Sequence, residues 1–277
     1  MDLAVVVPCY NCDAFIEQTI QALLNQTQSP AEIVVIDDGS QDRSRSAISK
    51  YPVRLIKHKK NRGLSHTRNT ALNNTDCEII LYVDADAYAD SHLVQRISDN
   101  YQDQDVCGVG GQGIEAIQQS IYDRWRSLHA SQSHGDLVVD SCQHLFGLCM
   151  AYRRQALIDI GGFDTGLKTN AEDMDIGYRL SDAGRRLVYT PEAIVYHQRK
   201  DDFQSLRRMM YNWYYWAFIV KRKNQRNPWS LAFGTGRRML FTDTLHDLII
   251  RRDIRLAKLD INLSVVKFKA LLDAAKS

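Results

Sequence analysis

The sequence predicts an α/β fold with a mainly parallel sheet flanked by helices, followed by a C-terminal helical extension. Short apolar runs alternate with stretches whose apolar residues recur at helical spacing, which is the pattern of repeated strand–helix–strand units. Three of these runs end in polar side chains, and open α/β sheets bind ligands at the carboxyl ends of their strands. The four runs in the first third of the chain are 3–7, 33–36, 53–56 and 79–83.

The elements before residue 83 follow one another in regular alternation. Residues 3–7 are a β-branched run that Pro8 ends, so we expect a buried strand that stops there. Apolar residues at helical spacing predict a helix over 13–28. After the second strand, Asp42 or Ser44 can cap the next helix. A third helix follows the third strand, and the fourth strand comes after it.

Polar side chains collect where these predicted strands end. Asn11 follows the first strand, and Asp37 and Asp38 follow the second. Asp84 and Asp86 come directly after the fourth. Two carboxylates one residue apart suit a hard divalent cation, which takes oxygen ligands and commonly bridges protein to phosphate. The alternative is a plain turn, because Asp is an ordinary turn residue.

Residues 106–113 contain a G-x-G-x-x-G pattern, which is also found in dinucleotide-binding proteins. That fingerprint should follow a firm strand and precede, by about 20 residues, an acid on the next parallel strand. Here the predicted helix over 114–131 leads into a polar stretch instead. We therefore favour glycines in a strand that passes close to a bound ligand.

The alternation continues to residue 197, with two acids and a histidine at element ends. Glu172 and Asp173 lie in the first turn of a predicted helix, where acids also suit the helix dipole. His197 ends the last predicted strand. The expected elements are strands at 146–152, 187–189 and 193–196 and helices at 153–160 and 172–184.

The C-terminal part of the chain differs in charge. Residues 1–198 carry 18 Lys and Arg against 26 Asp and Glu, whereas residues 199–277 carry 17 against 7. Such a basic segment indicates an anionic partner. The aromatic block 211–220 is too short to span a bilayer, and suits either a helix at the membrane interface or a helix packed in a core. A nucleic-acid partner is less favoured, because the aromatics form one continuous apolar block.

Bulk composition indicates a soluble globular protein, and the N-terminal residues predict a cytoplasmic one. The 277 residues are 44% hydrophobic and 25% charged, which is ordinary for such proteins. The acid at position 2 and the absence of a signal-peptide pattern predict no export. Six cysteines are then expected to be reduced thiols. The C-x-x-C spacing of Cys9 and Cys12 is interpreted as two loop cysteines in preference to a zinc or redox site.

Taken together, these pieces resemble a family 2 glycosyltransferase of the GT-A fold over residues 3 to about 200. The order and spacing of the motifs carry the resemblance, since no single motif is diagnostic. The matching stretches are Val7-Pro8-Cys9-Tyr10-Asn11, Val35-Ile36-Asp37-Asp38-Gly39-Ser40, Asn61-Arg62-Gly63-Leu64-Ser65 with Arg68-Asn69, Asp84-Ala85-Asp86, Gly161-Gly162-Phe163-Asp164, Glu172-Asp173, Pro191-Glu192-Ala193 and Tyr196-His197.

The resemblance implies a division of the chain and a metal-dependent donor site. It implies a catalytic domain over 1–202, with a nucleotide-sugar-binding half at 1–110 and an acceptor-binding half at 111–202, and an extension at 203–277. Asp86 is the implied ligand of Mn²⁺ or Mg²⁺, and Asp84 would contact the ribose or share the metal. His197 is a candidate second ligand, the alternative being a surface histidine. Ala85 lies between the two acids at the donor.

The same resemblance implies roles for the other motif residues. Asp38 would accept from a nucleobase N–H with Asp37 supporting it. Arg68 would neutralise Asp37 or Asp38, reach the phosphates, or form a structural ion pair, which we favour. Asp173 is the implied general base, and Glu172 would orient it or bind the acceptor. The residues expected to line the base pocket are Pro8, Tyr10 and Asn11.

The function expected from the resemblance is an inverting transferase of hexosyltransferase type (EC 2.4). It would move one sugar from a UDP-, GDP- or dTDP-sugar to a glycan or lipid-linked acceptor in polysaccharide or cell-envelope synthesis. The Gln/Arg-x-x-Arg-Trp signature of processive members is lacking. We expect a peripheral protein at the inner face of the cell membrane, held there through 203–277. The alternatives are a non-catalytic sugar-nucleotide-binding or scaffold protein and, less favoured, a nucleotidyltransferase.

Overall fold

The computed structural model describes residues 1–167, 170–236 and 238–277, and divides the chain into two compact units. The first unit contains Met1–Ile114 and Gln132–Gln198, and the second contains Glu115–Ser131 and Arg199–Ser277. The boundary at 198–199 lies close to the one expected at 202. Residues 115–131 belong to the helical second unit, although the sequence placed them in the acceptor-binding half.

The first unit is built on one eight-stranded sheet. Its strand order is β3-β2-β1-β4-β7-β6-β8-β5. Strands β3, β2, β1 and β4 run parallel, and the β4–β7, β7–β6 and β8–β5 pairs are antiparallel. The strands are β1 (Leu3–Cys9), β2 (Glu32–Asp37), β3 (Arg54–Lys57), β4 (Ile79–Val83), β5 (Ala87–Ala89), β6 (Val106–Glu115), β7 (Cys149–Arg153) and β8 (Arg186–His197).

Helices connect these strands and form the second unit. They are α1 (Ile16–Leu24), α2 (Ser44–Ile48), α3 (Leu64–Leu72), α4 (Leu93–Asp99), α5 (Ile121–His129), α6 (Arg154–Asp159), α7 (Glu172–Asp182), α8 (Phe203–Lys223), α9 (Thr244–Ile249) and α10 (Ile254–Lys276). A short 3₁₀ turn at Asn100–Gln102 and π-helical turns at Ala232–Gly236 and Arg238–Asp243 complete the described chain. The predicted fold class, an α/β sheet with a helical extension, is confirmed.

The centre of the sheet explains why the first half could be predicted. Every residue of β1 and β4 is buried, so both strands are continuous apolar runs in the sequence. Pro8 was expected to end β1, but it lies within the strand. The pairing of β1 with β4 stops at Val6 and Tyr82, so no β4 carbonyl requires an N–H from Pro8.

The glycine-rich segment is a strand, as expected, and its glycines allow close packing against neighbouring residues. A Cβ on Gly111 would lie 2.2 Å from the Ala193 carbonyl oxygen of β8. A Cβ on Gly108 would lie 2.6 Å from the Leu187 side chain of the same strand. The glycines therefore let β6 approach its neighbours, and the expected proximity to a bound ligand stays a prediction.

Two element predictions after residue 113 are also wrong, and both for local reasons. The expected helix over 114–131 begins only at Ile121, because β6 continues through Glu115 and a Ser120–Asp123 capping box starts the helix. The two short strands expected around Pro191 are one strand, β8. The described β8 pairing with β5 involves only its last three residues, so Pro191 interrupts none of those bonds.

The second unit is a helical bundle with its own core. Trp125 of α5, Met210 of α8, and Leu256 and Leu263 of α10 are among its buried residues. The aromatic block predicted at 211–220 lies in α8 and is half-buried or buried, with α10 as its main helical neighbour. Within the described residues, no helix combines the length and apolar character that crossing a membrane requires.

Candidate functional site

The Asp-x-Asp stretch and His197 meet at one edge of the sheet of the first unit. Strand β5 starts directly after Asp86 and pairs with β8 so that Ala87 lies opposite His197. This register brings Asp86 Oδ2 to 3.2 Å from His197 Nε2. The Asp86 side chain is 37% exposed, whereas that of His197 is 5% exposed. A carboxylate oxygen and an imidazole nitrogen at this separation fit two ligands of one divalent cation.

Asp84 lies beside this pair but also contacts a buried cation. Its Oδ1 accepts a hydrogen bond from Arg68 Nη2 at 3.2 Å. Removal from bulk water raises the pKa of Asp84 to about 7, with Arg68 opposing the shift and Asp86 adding to it. A carboxyl whose pKa is raised in this way is sensitive to any charge that binds next to it.

Arg68 lies between Asp84 and Glu172 and contacts both of them. Its side chain is wholly buried and forms ion pairs with Glu172 and Asp84. Its Nη2 also donates to the Gly147 carbonyl at 3.0 Å. The favoured structural ion pair is therefore present, but the partners expected from the sequence, Asp37 and Asp38, are wrong.

Asp173 is held by a backbone donor from a distant turn. Its Oδ2 accepts from the Gly147 N–H at 2.9 Å. Burial raises its pKa above the ordinary carboxyl value, and the Gly147 hydrogen bond and Arg68 oppose that rise. Ala171, immediately before α7, has φ +63°, a left-handed conformation that is uncommon for a residue with a Cβ. The helix thus begins with a strained residue that delivers Glu172 and Asp173 together.

Glu172 and Gly147 differ from what the sequence predicted. Glu172 is buried and contacts Arg68, and burial raises its pKa. Gly147 was expected inside a strand over 146–152, but β7 begins at Cys149. The turn before β7 directs the Gly147 N–H at Asp173 and its carbonyl at Arg68. A single glycine in a predicted strand carries no sequence signal for that role.

A separate cavity of about 490 Å³ lies at the carboxyl ends of β1 and β2. Pro8, Tyr10 and Asp38 line it, and Tyr10 is 48% exposed, whereas Asn11, which was expected beside Pro8 and Tyr10, is not among the lining residues. The other lining residues are Cys9, Asn61, Gly63, Leu64 and Thr67. Such a cavity, apolar with a few polar groups, is typical of a small-molecule site.

Internal donors already surround Asp38 and Asp37. Asp38 Oδ2 accepts from the Gly63 N–H at 2.8 Å, and Oδ1 lies 2.6 Å from His58 Nδ1. Asp37 is fully buried and pairs with Arg45 at 2.5 Å. Asp38 therefore anchors the loop after β3, and His58 and Arg45 are site-supporting residues that the sequence did not single out.

Asn11, Cys12 and Ala85 have local structural roles beside the site. Asn11 has φ +52°, tolerated by Asn, and its Oδ1 accepts from the Gln41 N–H at 2.9 Å. Cys9 and Cys12 form a disulfide, so the expectation of two reduced loop thiols is wrong; the loop brings their Cα atoms to 6.2 Å, within bridging range. The Ala85 methyl is buried in the core, so any donor contact would fall to its backbone.

Comparisons with known proteins agree with this architecture. Residues 4–161 match the model of "Glycosyl transferase family 2". An "Uncharacterized glycosyltransferase EpsJ" of Bacillus subtilis is 36% identical over 115 residues, which are 39% of this chain and 33% of that protein. A "Pre-mycofactocin glycosyltransferase" of Mycobacterium tuberculosis is 22% identical over 244 residues, 84% of this chain and 51% of that one. This chain thus spans between a third and about half of these two relatives.

The fold is shared with a solved structure. The mannosyltransferase PcManGT from Pyrobaculum calidifontis, in complex with GDP-Man and Mn²⁺, aligns with a TM-score of 0.64 at 20% identity. The alignment covers 99% of this chain and 75% of that one. At this identity, the similarity establishes the GT-A fold and leaves the ligands to separate argument.

Proposed function

Because the chain belongs to glycosyl transferase family 2, we propose that it is a metal-dependent, inverting glycosyltransferase that moves one sugar from a nucleoside diphosphate to a hydroxyl. The observation that carries the proposal is the contact chain from Asp86 and His197, past Asp84, through Arg68 to Glu172 and the neighbouring Asp173. These contacts support a cation site at Asp86 and His197 and a base at Asp173. A scaffold protein would have no need for such an arrangement of costly buried charges.

The donor diphosphate is proposed to bind at the Asp86 and His197 corner. These two residues, with Asp84 as a possible third ligand, would hold Mn²⁺ or Mg²⁺. When bound, a divalent cation neutralises charge on the diphosphate leaving group. The nucleoside would occupy the cavity lined by Pro8 and Tyr10, where Asp38 fixes the loop that carries Gly63. The solved mannosyltransferase complex contains Mn²⁺ with GDP-Man, which supports this pairing of ligands.

Asp173 is proposed to remove the proton of the acceptor hydroxyl. Its raised pKa suits a base that works near neutral pH, because it can accept a proton more readily than an ordinary Asp. Gly147 fixes the orientation of the carboxylate through its N–H. Attack by a hydroxyl from the face opposite the diphosphate inverts the anomeric carbon. Glu172, tied to Arg68, would position the first turn of α7.

The membrane partner is proposed to contact the segment after α8 and not the aromatic block itself. The block lies largely in the core of the second unit. Exposed apolar side chains gather instead at 229–254, where Phe233 is 78% and Ile250 is 67% exposed. Arg252 and Arg255 beside them are exposed cations. Apolar side chains next to cations suit the surface of an anionic membrane. A protein held at that surface would act on a lipid-linked or cell-surface glycan acceptor.

The experiment that tests the proposal measures nucleotide binding with and without metal. Sugar nucleotides are screened for thermal stabilisation in Mn²⁺, since a ligand of the native state raises the melting temperature. Asp86→Ala should abolish the Mn²⁺-dependent part of the affinity for the best ligand. Glu192→Gln is the control, because Glu192 is a 63% exposed partner of a surface arginine. The assignment is supported if the wild type binds the nucleotide more tightly with Mn²⁺ and Asp86→Ala binds it equally with and without Mn²⁺. A full metal response in the variant contradicts it.

A further inference from the structure

Three helices of the second unit bring a histidine and two aspartates together. His129 of α5, Asp247 of α9 and Asp260 of α10 each offer a ligand atom, and these atoms lie within 4.8 Å of one another. His129 Nε2 is 3.0 Å from Asp247 Oδ2 and 3.9 Å from Asp260 Oδ1. Both carboxylates are fully buried, and the His129 side chain is 4% exposed.

The hydrogen bonds around this cluster do not satisfy it. Asp260 Oδ1 accepts from Trp125 Nε1 at 2.7 Å, but Asp260 Oδ2 is buried and has no donor among the described residues. Asp247 has Arg251 as its cationic partner. Asp247 and Asp260 are thus two buried carboxylates that lie close together, and the partly exposed Arg251 is the cation paired with Asp247. Buried acceptors without donors and like charges in contact are both costly.

We propose that His129, Asp247 and Asp260 bind a divalent transition-metal cation such as Zn²⁺, separate from any cation at the sugar donor. Ligands about 2.0–2.2 Å from a tetrahedral ion lie roughly 3.3–3.6 Å apart. The separations of 3.0 and 3.9 Å bracket that spacing. One imidazole and two carboxylates suit zinc and its first-row neighbours, because imidazole favours these ions over magnesium or calcium.

The residues that contact the three proposed ligands also suit a bound cation. Metal-binding carboxylates are usually fixed by further hydrogen bonds, and Trp125 provides one to Asp260. His129 Nδ1 lies 4.0 Å from Asp243 Oδ2, so the tautomer with a proton on Nδ1 faces a carboxylate and leaves Nε2 for the metal. A cation here would link α5, α9 and α10 and stabilise the second unit. A proton shared by the two carboxylates is the competing arrangement.

The test uses the full chain in an Asp86→Ala background, which removes a proposed ligand of the donor site. The tag-free protein is stripped with EDTA and titrated with Zn²⁺ by calorimetry, and its melting temperature is followed. We expect one Zn²⁺ per chain and, at a hundredfold excess over Kd, a rise of about 5 °C or more. The proposal concerns the second unit alone, so it can hold even if the donor site proves inactive.

Matched variants assign the bound ion to the cluster. Asp260→Asn and His129→Gln should each abolish Zn²⁺ binding, whereas Asp273→Asn, a carboxylate change on the same helix, should retain it. Two ligand variants are used so that one remains informative if the other unfolds. No Zn²⁺ binding by the Asp86→Ala protein would overturn the proposal and favour the shared proton. Unchanged binding by either folded ligand variant would overturn it too.

Discussion

Replacement of Arg68 by Met should destabilise the protein strongly, because the Arg68 guanidinium contacts both Glu172 and Asp84. The cation is wholly buried, and the Glu172 side chain is 5% exposed. Removing one partner of a buried ion pair costs about 3–5 kcal/mol, since the other charge remains buried without compensation. The Asp84 side chain is 31% exposed, so hydration reduces its contribution to the cost of removing Arg68. At roughly 2–4 °C per kcal/mol, the melting temperature should fall by about 6–20 °C.

The pH dependence of that loss identifies its cause. Without Arg68, the folded-state pKa values of Glu172 and Asp84 rise further above their unfolded values. Such groups destabilise the folded state when ionised, so the deficit should be smallest in acid and grow as the pH rises. Arg43→Met is the control, because Arg43 is 90% exposed and its pair with Asp13 contributes little. A loss within about 1 kcal/mol at pH 8, equal to that of the control, would refute the reasoning.

Three further outcomes follow from the proposed function. The rate with saturating donor should fall as the pH drops through the raised pKa of Asp173. The acid limb of the pH–kcat profile should therefore lie at a higher pH than the pKa of an ordinary Asp, and a limb near pH 4 would contradict this. Gly147→Ala should lower kcat by about 10–100-fold with little change in KM for the donor, since a Cβ would lie 3.1 Å from Arg68 Nη2 and 3.4 Å from Asp173 Oδ2. Gly234→Ala, whose Cβ meets nothing within 4 Å, is the matched control for that steady-state assay. Ile250→Glu should reduce sedimentation with vesicles containing anionic lipid while leaving donor turnover in solution unchanged, and undiminished sedimentation would count against the proposed membrane segment.

The first four strands of the sheet were predictable because their information is local. Strands buried on both faces appear as apolar runs, and their register delivers the residues that follow them to one edge. That is why Asp38, Asp84 and Asp86 could be named as candidate site residues from their positions at strand ends together with the family resemblance. The disulfide at Cys9 was not foreseen, because C-x-x-C spacing does not distinguish a bond from two thiols.

The rest of the site depends on contacts that no local pattern encodes. Arg68 and Glu172 are separated by 104 positions in the chain, so their ion pair has no signature in either segment. Gly147 acts through its backbone groups, which every residue except proline possesses. The cluster of His129 with Asp247 and Asp260 requires three helices whose packing is set by a core of long-range contacts. Here sequence periodicity predicted helices and not the side chains that they bring together.

Asp173→Asn tests the central claim most directly. Asn keeps the size of the side chain and an oxygen that can accept from the Gly147 N–H, but it cannot take a proton. The measurement is release of nucleoside diphosphate from the donor that stabilises the protein best in Mn²⁺, together with the affinity for that nucleotide. We expect turnover to fall by about 10²–10⁴-fold while affinity stays within a factor of two. Turnover within tenfold of the wild type at equal affinity would show that Asp173 is not the base.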